Sequence, residues 1–337
     1  MAEKQVLLGG RRVTLTNLDK LLWPEGVTKA HLIKYYTDIA PVLLPYIHNR
    51  PLVMKRYPDG ITGEAFYQKE SPAYAPDWIE TFPVRHTERV IHYVVCNDLA
   101  TLVWLANQTC IEVHAWLSTR ENIDCPDIAV MDLDPAEGVT FAGVMRVALL
   151  VRRALAEFGL QGFVKTSGLR GLHLFVPLRP VYPFRQVTAA MQHVAEMVAG
   201  ACPDSATVER TVEKRRGRVY LDYLQNGRGK TMAFQYSIRP RPGVPVSTPL
   251  LWSEVERMSA QSANIHTIFD RLKEYGDLFR ELLLQRQSLD RLLSALPEKP
   301  SPVRAAVSRV NSPAKKTGRE RKKFLQPKAG NPRPLPE

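Results

Sequence analysis

The sequence predicts an α+β protein built around a β-sheet. From Asp127 onward, apolar runs of strand length alternate with longer segments of helical periodicity. Aspartates stand within two of these predicted strands, in IAVMDL and in VYLDYL. The 337 residues are 45% hydrophobic, so the chain can bury a substantial core. We therefore expect a mixed sheet-and-helix core rather than a helical bundle or a β-sandwich.

The first part of the chain is predicted to be loop-interrupted and rich in basic side chains. A capped loop, TNLDKLLWPEG, leads into the helical segment HLIKYYTDIAPVLLPYI, and RPLVMKRYPDG follows as a strand running into a turn. A second helix is predicted from about Asn97 to Gln108, before the strand-like CIEVHAWLS.

The second part is predicted to alternate strands with helices. The helix after IAVMDL has apolar residues at near-helical spacing, and two further helices are predicted at about 265–275 and 277–296. The predicted strands are IAVMDL, FVKTS, LHLFVPL, VYLDYL and MAFQYSI. We expect one folded region, residues 1–297, in which a basic portion of about 1–95 packs on a core of about 96–297.

Composition excludes several classes of protein. No apolar run approaches the roughly 18 residues that a membrane span needs, and MAEKQVLLGG has no signal-peptide core, so we expect a cytoplasmic protein without a membrane partner. The four cysteines lack the paired C-x-x-C spacing of a zinc site or a disulfide framework, so we expect reduced thiols in the core.

The positive charge is concentrated at the end of the chain. From Lys299 onward there are eleven Lys and Arg against two Glu, so this segment carries +9 of the total +12 and the rest about +3. Residues 298–337, rich in Pro, Ser and Lys, are expected to be a disordered tail. Such a tail either binds phosphates without sequence preference or only keeps the chain soluble.

Two aspartates one residue apart indicate a metal site. In IAVMDLDPAEG, Asp132 and Asp134 point to the same face of a strand, where each raises the pKa of the other unless a cation lies between them. Alternatively, Asp134 caps a helix that has Pro135 in its first turn, and Asp132 is solvated at the strand end.

A glycine-bearing loop, KTSGLRGLHLFVPL, is a second candidate feature. Backbone N–H groups beside Gly168 and Gly171 could approach an anion, with Lys165, Ser167 and His173 as additional donors. S-G-x-x-G is also a common hairpin, so this signal is weak by itself.

A third acidic position, Asp222 in RGRVYLDYLQN, completes a possible set of three carboxylates. With Asp132 and Asp134 it would hold two divalent ions, as in phosphoryl or nucleotidyl transfer. Basic side chains at Lys165, Arg215 and Arg239 could neutralise a triphosphate. Otherwise Asp222 forms a salt bridge with a neighbouring arginine.

The D-x-D pattern also fits a haloacid-dehalogenase-like phosphatase. Asp132 would then be the nucleophile and Asp134 the general acid, with Thr166 or Ser167 in the second motif. This alternative lacks a downstream pair of acidic residues and leaves His173 without a role.

Together, these motifs resemble the polymerase domain of bacterial non-homologous end-joining ligase D, of the archaeo-eukaryotic primase superfamily, over about residues 5–290. Asp132-Leu133-Asp134, the stretch from Ser167 to His173, and Asp222 occur in the family order, and His114 in CIEVHAW matches a histidine beside the catalytic centre. The resemblance implies a primase-polymerase fold with an antiparallel-sheet catalytic core. It also implies two Mn²⁺ or Mg²⁺ ions on the three aspartates. Lys165, Ser167, His173, Arg215 and Arg239 are expected to bind the NTP or dNTP.

The resemblance further implies recognition of DNA breaks. Asn17, Lys20, Lys29 and Lys55 fall where the family binds a downstream 5′-phosphate, and Phe66 and Tyr67 match paired aromatics that stack on the template. The implied activity is filling of gaps and extension of 3′ ends in double-strand break repair, often with ribonucleotides, alongside Ku and a ligase acting in trans near the nucleoid. A non-catalytic DNA-end-binding module is an alternative of a different class, although unpaired carboxylates near DNA would repel it.

Overall fold

Two β-sheets form the centre of the computed structural model, which describes residues 3–255, 257 and 263–297. A hairpin of β1 (Lys4–Leu8) and β2 (Arg11–Leu15) precedes them. The first sheet has the strand order β13-β7-β3-β6-β5, with β4 paired to β3, and every pair in it is antiparallel. Its strands are β3 (Pro51–Arg56), β4 (Phe66–Gln68), β5 (Thr81–Arg85), β6 (Val90–Val95), β7 (Cys110–Trp116) and β13 (Thr231–Ala233).

The second sheet has the order β11-β12-β8-β10-β9. Its central strand, β8, is antiparallel to both neighbours, and the edge pair of β11 and β12 is parallel. The α+β class with antiparallel sheets is therefore confirmed. The strands are β8 (Ile128–Pro135), β9 (Phe163–Thr166), β10 (Leu172–Pro177), β11 (Ala206–Thr207) and β12 (Val219–Asp222).

Helices cover the outer faces of the sheets. Tyr36 of α1 donates to the carbonyl of Ile111 on β7 at 2.6 Å, and α3 and α4 pack on β8. The helices are α1 (Lys29–Ile47), α2 (Leu99–Asn107), α3 (Phe141–Glu157), α4 (Phe184–Ala201), α5 (Ile268–Tyr275), α6 (Arg280–Leu284) and α7 (Asp290–Ser294).

Strand alternation divides the apolar residues of β8 between two cores. Met131 and Leu133 pack with α3 and α4, whereas Ile128 and Val130 belong to the core that includes the first sheet. Asp132 has the same parity as Val130. The acidic side chains of β8 therefore lie on the face turned toward the first sheet and away from the helices.

One alternative and two local expectations were wrong. Asp134 does not cap a helix, because β8 continues through Pro135 and α3 begins at Phe141, where the side chain of Thr140 is the N-cap. The strand predicted for MAFQYSI ends at Ala233, because a turn follows in which Ser237 N–H donates to the carbonyl of Phe234.

The helix predicted for about 277–296 is instead split into α6 and α7. Between them, the backbone of Gln287 donates to Pro177 and accepts from Arg179 at the end of β10. A tertiary pairing thus replaces the helical conformation of residues 285–289.

The described chain up to Leu296 forms one compact unit. The first sheet combines strands from both predicted portions, because β3 and β6 precede residue 96 and β7 and β13 follow it. The predicted tail, 298–337, lies outside the described residues. Among the described helices, none has the length and apolar character to cross a membrane. Cys96 and Cys110 are buried free thiols as expected, whereas Cys125 and Cys202 are only half-buried.

Candidate functional site

Four of the predicted site residues form one row across the second sheet. The strand register pairs Asp222 with Asp132, Asp132 with His173, and His173 with Lys165. Directly paired residues of antiparallel strands project from the same face with Cβ atoms about 5 Å apart. Four side chains from widely separated parts of the sequence therefore meet side by side.

Asp134 lies one step further along the same face of β8. Its Oδ2 accepts from Nη1 of Arg215 at 2.7 Å, and its side chain is 50% exposed. Asp222 makes no salt bridge among the described residues. Its carboxylate accepts from Leu224 N–H at 3.0 Å and from Gln225 Nε2 at 3.1 Å instead. The salt bridge to a neighbouring arginine that was the alternative for Asp222 is therefore not formed in the described chain.

Repulsion between the carboxylates is visible at Asp132. Burial, followed by the charges of Asp222 and Asp134, raises the pKa of Asp132 from 3.8 to about 7. Carboxylate oxygens are the ligands that Mg²⁺ and Mn²⁺ prefer, and a divalent cation would relieve this repulsion. The donor set fits such an ion, although within the described ranges no three His, Cys, Asp or Glu side chains already converge in a metal-binding cluster.

His173 is held between Lys165 and Asp132. Lys165 is fully buried, and its Nζ lies 3.0 Å from Nδ1 of His173 and donates to the carbonyl of Ala233 and to Ser247. Burial and the charge of Lys165 lower the pKa of His173, so the neutral ring accepts at Nδ1 and directs its Nε2 to Asp132 Oδ1, 3.5 Å away. The contact with Lys165 thus orients the His173 ring, and burial lowers the pKa of Lys165 as well.

The glycine-bearing loop is pressed against the acidic strand. The hydroxyl of Ser167 accepts from the N–H groups of Leu169 and Gly171, each at 3.1 Å. Gly168 has φ +71°, and a Cβ there would lie 2.5 Å from Cγ of Arg239. A Cβ on Gly171 would lie 2.1 Å from the carbonyl oxygen of Leu133, so only glycine lets the loop reach β8.

A buried glutamate, Glu112, joins several of the basic groups. It is fully buried on β7, and its carboxylate lies 2.8 Å from Lys55 Nζ, 3.0 Å from His114 Nε2 and 3.3 Å from Arg239 Nη2. Although burial acts to raise the pKa of Glu112, the charge of Arg239 and the contacts of His114 and Lys55 outweigh it and lower the pKa.

Glu112 was not among the residues predicted from the sequence. Its signal is the alternation of CIEVHAW, which places Glu112 and His114 on one face of a strand otherwise made of apolar residues. Arg239 contacts Glu112 of the first sheet and lies against Gly168, in the loop that follows β9 of the second sheet. It therefore connects the residues around Glu112 with the row that contains Asp132.

A second basic surface flanks the row on the side of β12. A cavity of about 220 Å³ is lined mainly by polar groups, among them Arg210, Arg215, Lys230 and Asp222. The structure therefore separates two arginines that the sequence analysis had grouped: Arg215 lies with Asp134, and Arg239 lies with Glu112.

Three of the four residues expected to bind a phosphate lie together near the start of α1. Lys29 N–H donates to the carbonyl of Lys20, and Lys20 N–H donates to that of Asn17. The Lys29 ammonium, nearly buried, donates to Thr16 Oγ1 at 3.2 Å. Burial, with the charges of Lys20 and Arg56 as smaller causes, lowers the pKa of Lys29 from 10.5 to about 8.

Lys55 is not part of this group. It pairs with Glu112 across β3 and β7, whereas its neighbour Arg56 acts on Lys29. The aromatic pair divides in the same way: the charge of Lys55 lies 5.3 Å from the ring of Tyr67, and that of Arg56 lies 5.4 Å from the ring of Phe66. Phe66 and Tyr67 are both exposed, at opposite faces of β4.

Comparison with known proteins gives one consistent result. The family described as LigD, primase-polymerase domain matches residues 28–279. The multifunctional non-homologous end joining protein LigD of Mycolicibacterium smegmatis is 36% identical over 284 residues, which cover 83% of this chain and 37% of that protein. The bifunctional LigD of Bacillus subtilis is 34% identical over 288 residues, covering 85% of this chain and 46% of that protein. The chain thus spans less than half the length of these relatives.

A solved structure is also similar. The polymerase domain of Mycobacterium tuberculosis ligase D, in complex with DNA, superposes with a TM-score of 0.76 at 35% identity. The alignment covers 82% of this chain and 99% of that one. The similarity therefore extends over the whole of that domain.

Proposed function

Because the chain belongs to the LigD primase-polymerase domain family, we propose that it is a DNA-dependent nucleotidyltransferase that fills gaps and extends 3′ ends at double-strand breaks. The observation that carries the proposal is the row of Asp222, Asp132 and His173 across the second sheet, with Asp134 beside it. Three carboxylates on one face are suited to bind two divalent ions, Mn²⁺ or Mg²⁺. When bound, such ions activate the primer 3′-hydroxyl and neutralise the triphosphate.

The basic groups on either side of the row are proposed to bind the nucleotide. Lys55, His114 and Arg239 converge on Glu112, and Ser167 and His173 lie next to them, which favours this side for the triphosphate of an NTP or dNTP. Burial and the Lys165 contact keep His173 neutral, so it serves as a hydrogen-bond donor beside Asp132. Arg215 neutralises Asp134 from the opposite side.

The second part of the proposal concerns the DNA substrate. Asn17, Lys20 and Lys29 form a cationic group suited to a downstream 5′-phosphate, and the exposed rings of Phe66 and Tyr67 can stack on bases at the break. Ku and a ligase acting in trans are proposed as partners because the named relatives are non-homologous end joining proteins. A preference for ribonucleotides rests on the resemblance alone.

A primer-extension assay tests the catalytic part. We expect the purified chain to add nucleotides with Mn²⁺ or Mg²⁺, and Asp132→Ala and Asp134→Ala each to abolish addition while DNA binding persists, because the loss removes charge neutralisation at the transition state. Comparing ribo- and deoxynucleotides with each metal determines the sugar preference. Substantial extension by either variant would contradict the metal assignment.

The same assay separates the alternatives. The phosphatase predicts release of phosphate from small phosphoesters without nucleotide addition, and it is disfavoured by the family match and by the contact of His173 with Asp132. A non-catalytic end-binding module predicts binding without extension under any metal.

A DNA-binding assay tests the second part. We expect a gapped duplex with a downstream 5′-phosphate to bind more tightly than the same duplex with a 5′-hydroxyl. Lys20→Ala with Lys29→Ala should erase this preference while sparing extension on a simple primer-template. Phe66→Ala should weaken binding to both gapped duplexes, since a stacked base contributes roughly 1–3 kcal/mol.

A further inference from the structure

Four hydrogen bonds fix the guanidinium of Arg56. Its Nε donates to the carbonyl of Gln108 at 2.8 Å, and its Nη1 donates to Gln68 Oε1 at 2.8 Å and to the hydroxyl of Tyr74 at 2.7 Å. Its Nη2 donates to Gln108 Oε1 at 3.3 Å. Four of the five guanidinium N–H donors are thus fixed, and one on Nη2 is left over.

All of these partners are neutral. Within the described chain, no carboxylate forms an ion pair with Arg56 or with Lys29, whereas Lys20 is paired with Asp59 at 3.0 Å. The charges of Arg56 and Lys29 therefore have no counter-ion. A chain of contacts brings them together, because Lys29 donates to Thr16 Oγ1, Thr16 N–H donates to Asn107 Oδ1, and the next residue, Gln108, accepts from Arg56. Two fixed cations that lack a counter-ion are suited to an anion that approaches both.

Arg56 also contacts the aromatic surface. Its guanidinium lies 5.4 Å from the centroid of the Phe66 ring, which is 42% exposed, and its partner Tyr74 is 60% exposed. An anion bound by Arg56 and Lys29 would consequently lie beside a ring on which a base can stack. A nucleotide with a terminal phosphate combines these two chemical features.

We propose that Arg56 is a specificity-determining residue that binds the downstream 5′-phosphate together with Lys29, and that Gln68, Tyr74 and Gln108 hold it in position. The inference rests on the proposed DNA-end substrate, and it adds a residue that replaces Lys55 in the phosphate site. Arg56 supplies the charge and the remaining Nη2 donor, and its rigid fork lowers the entropy lost when the phosphate binds.

The test compares the affinities of gapped duplexes with a 5′-phosphate and a 5′-hydroxyl, at matched salt, for the full chain and its variants. We expect Arg56→Gln to lower the affinity for the phosphorylated duplex about tenfold, with little change for the hydroxyl duplex, because a hydrogen bond to a charged group is lost. Arg56→Lys should retain part of the preference. Arg153→Gln, which removes an exposed arginine from α3, is the control and should change the affinities for both duplexes equally.

Tyr74→Phe keeps the charge of Arg56 and removes only the hydroxyl that positions it, so it remains informative if Arg56→Gln fails to fold. We expect it to reduce the preference about twofold to threefold. The inference would be overturned if Arg56→Gln lowered the affinity for both duplexes equally. It would also be overturned if the preference for the 5′-phosphate were unchanged in a folded Arg56→Gln or in Tyr74→Phe.

Primer extension on a simple primer-template, measured with the same preparations, distinguishes failure of this inference from failure of the proposed function. Suppose that the unmodified chain extends primers and prefers the phosphorylated duplex. If Arg56→Gln then shows the same preference, only this inference fails. If the unmodified chain binds both duplexes equally, the proposed end recognition and this inference fail together. If it does not extend primers, the catalytic proposal fails whatever the binding shows.

Discussion

Asp132 shows how a single residue is placed for function at a cost to the fold. It is directly opposite Asp222 and two residues from Asp134, and burial beside these acids raises its pKa to about 7. Removing one acid from such a group relieves repulsion in the folded state. On the proposed function, the carboxylates of this row serve the chemistry and do not stabilise the fold.

We predict that Asp132→Asn stabilises the fold while it abolishes nucleotide addition. In the presence of a chelator at neutral pH, the free energy of unfolding should rise by about 1–3 kcal/mol, since one pKa unit corresponds to about 1.4 kcal/mol. Urea unfolding of both proteins measures this change. Adding Mn²⁺ should stabilise the unmodified chain more than the variant, and a variant less stable than the unmodified chain in chelator would contradict the prediction.

Lys29 offers a pH-dependent test at the same scale. Its pKa of about 8 means that the ammonium is charged below pH 8 and neutral above it, well before an ordinary lysine at 10.5. The preference for a 5′-phosphate should therefore begin to decline above about pH 8, where the phosphate itself remains doubly ionised.

Affinities of the two gapped duplexes at several pH values measure this decline. Lys29→Arg is the matched variant, because a guanidinium stays charged throughout the range. It should keep the preference to higher pH. If the preference of Lys29→Arg declined with pH at the same midpoint, the titrating group would be another residue.

At the scale of elements, β8 and the loop before β10 act as one unit. β8 is paired on both sides, and the loop from Ser167 to Gly171 approaches so closely that its glycine meets the Leu133 carbonyl. Loop and acidic strand are therefore positioned by the same contact. A change in the loop is expected to move the carboxylates.

We predict that Gly171→Ala destabilises the protein by at least about 1–3 kcal/mol and sharply lowers nucleotide addition, because its methyl group would have to displace the backbone of β8. Gly200→Ala is the control: this exposed glycine of α4 has no atom within 4 Å of an added Cβ. The control should keep full activity and gain up to about 1 kcal/mol of stability. Thermal unfolding and primer extension measure both, and normal activity in Gly171→Ala would show that the loop can move independently.

At the scale of the whole molecule, charge and catalysis are separated along the chain. The catalytic candidates lie between His114 and Arg239, in a part whose net charge is small, whereas residues from Lys299 onward carry +9 of the +12. On the proposed function, affinity for DNA in the folded part should therefore depend on local groups such as Lys29 and Arg56. The tail can add only a general attraction to phosphates.

Deleting the chain from Lys299 should accordingly weaken DNA binding at low salt more than it lowers turnover at saturating DNA. The dependence of log affinity on log salt should become shallower, because fewer counterions are released. Binding titrations at several salt concentrations measure the slope. An unchanged slope after truncation would mean that the tail does not contact DNA.

The sequence by itself determined the fold class, the strands that carry the acidic residues and the family. Alternation along a strand places Asp132 and Asp134 on one face regardless of which strands are neighbours, and motif order is a property of the chain alone. Helix and strand periodicity likewise located α3 correctly, since Val144, Val147, Val151 and Leu155 are all buried. These features depend on local geometry.

Only the tertiary structure decided which of these residues meet. Alternation specifies a face but not a partner, so the row of Asp222, Asp132 and His173 depends on strand pairings between residues as much as 90 positions apart. Other long-range pairings placed Lys55 opposite Glu112 in the first sheet and let Gln287 pair with the end of β10 and divide a predicted helix. Register is set by the packing of the entire core, and no short stretch of sequence contains that information.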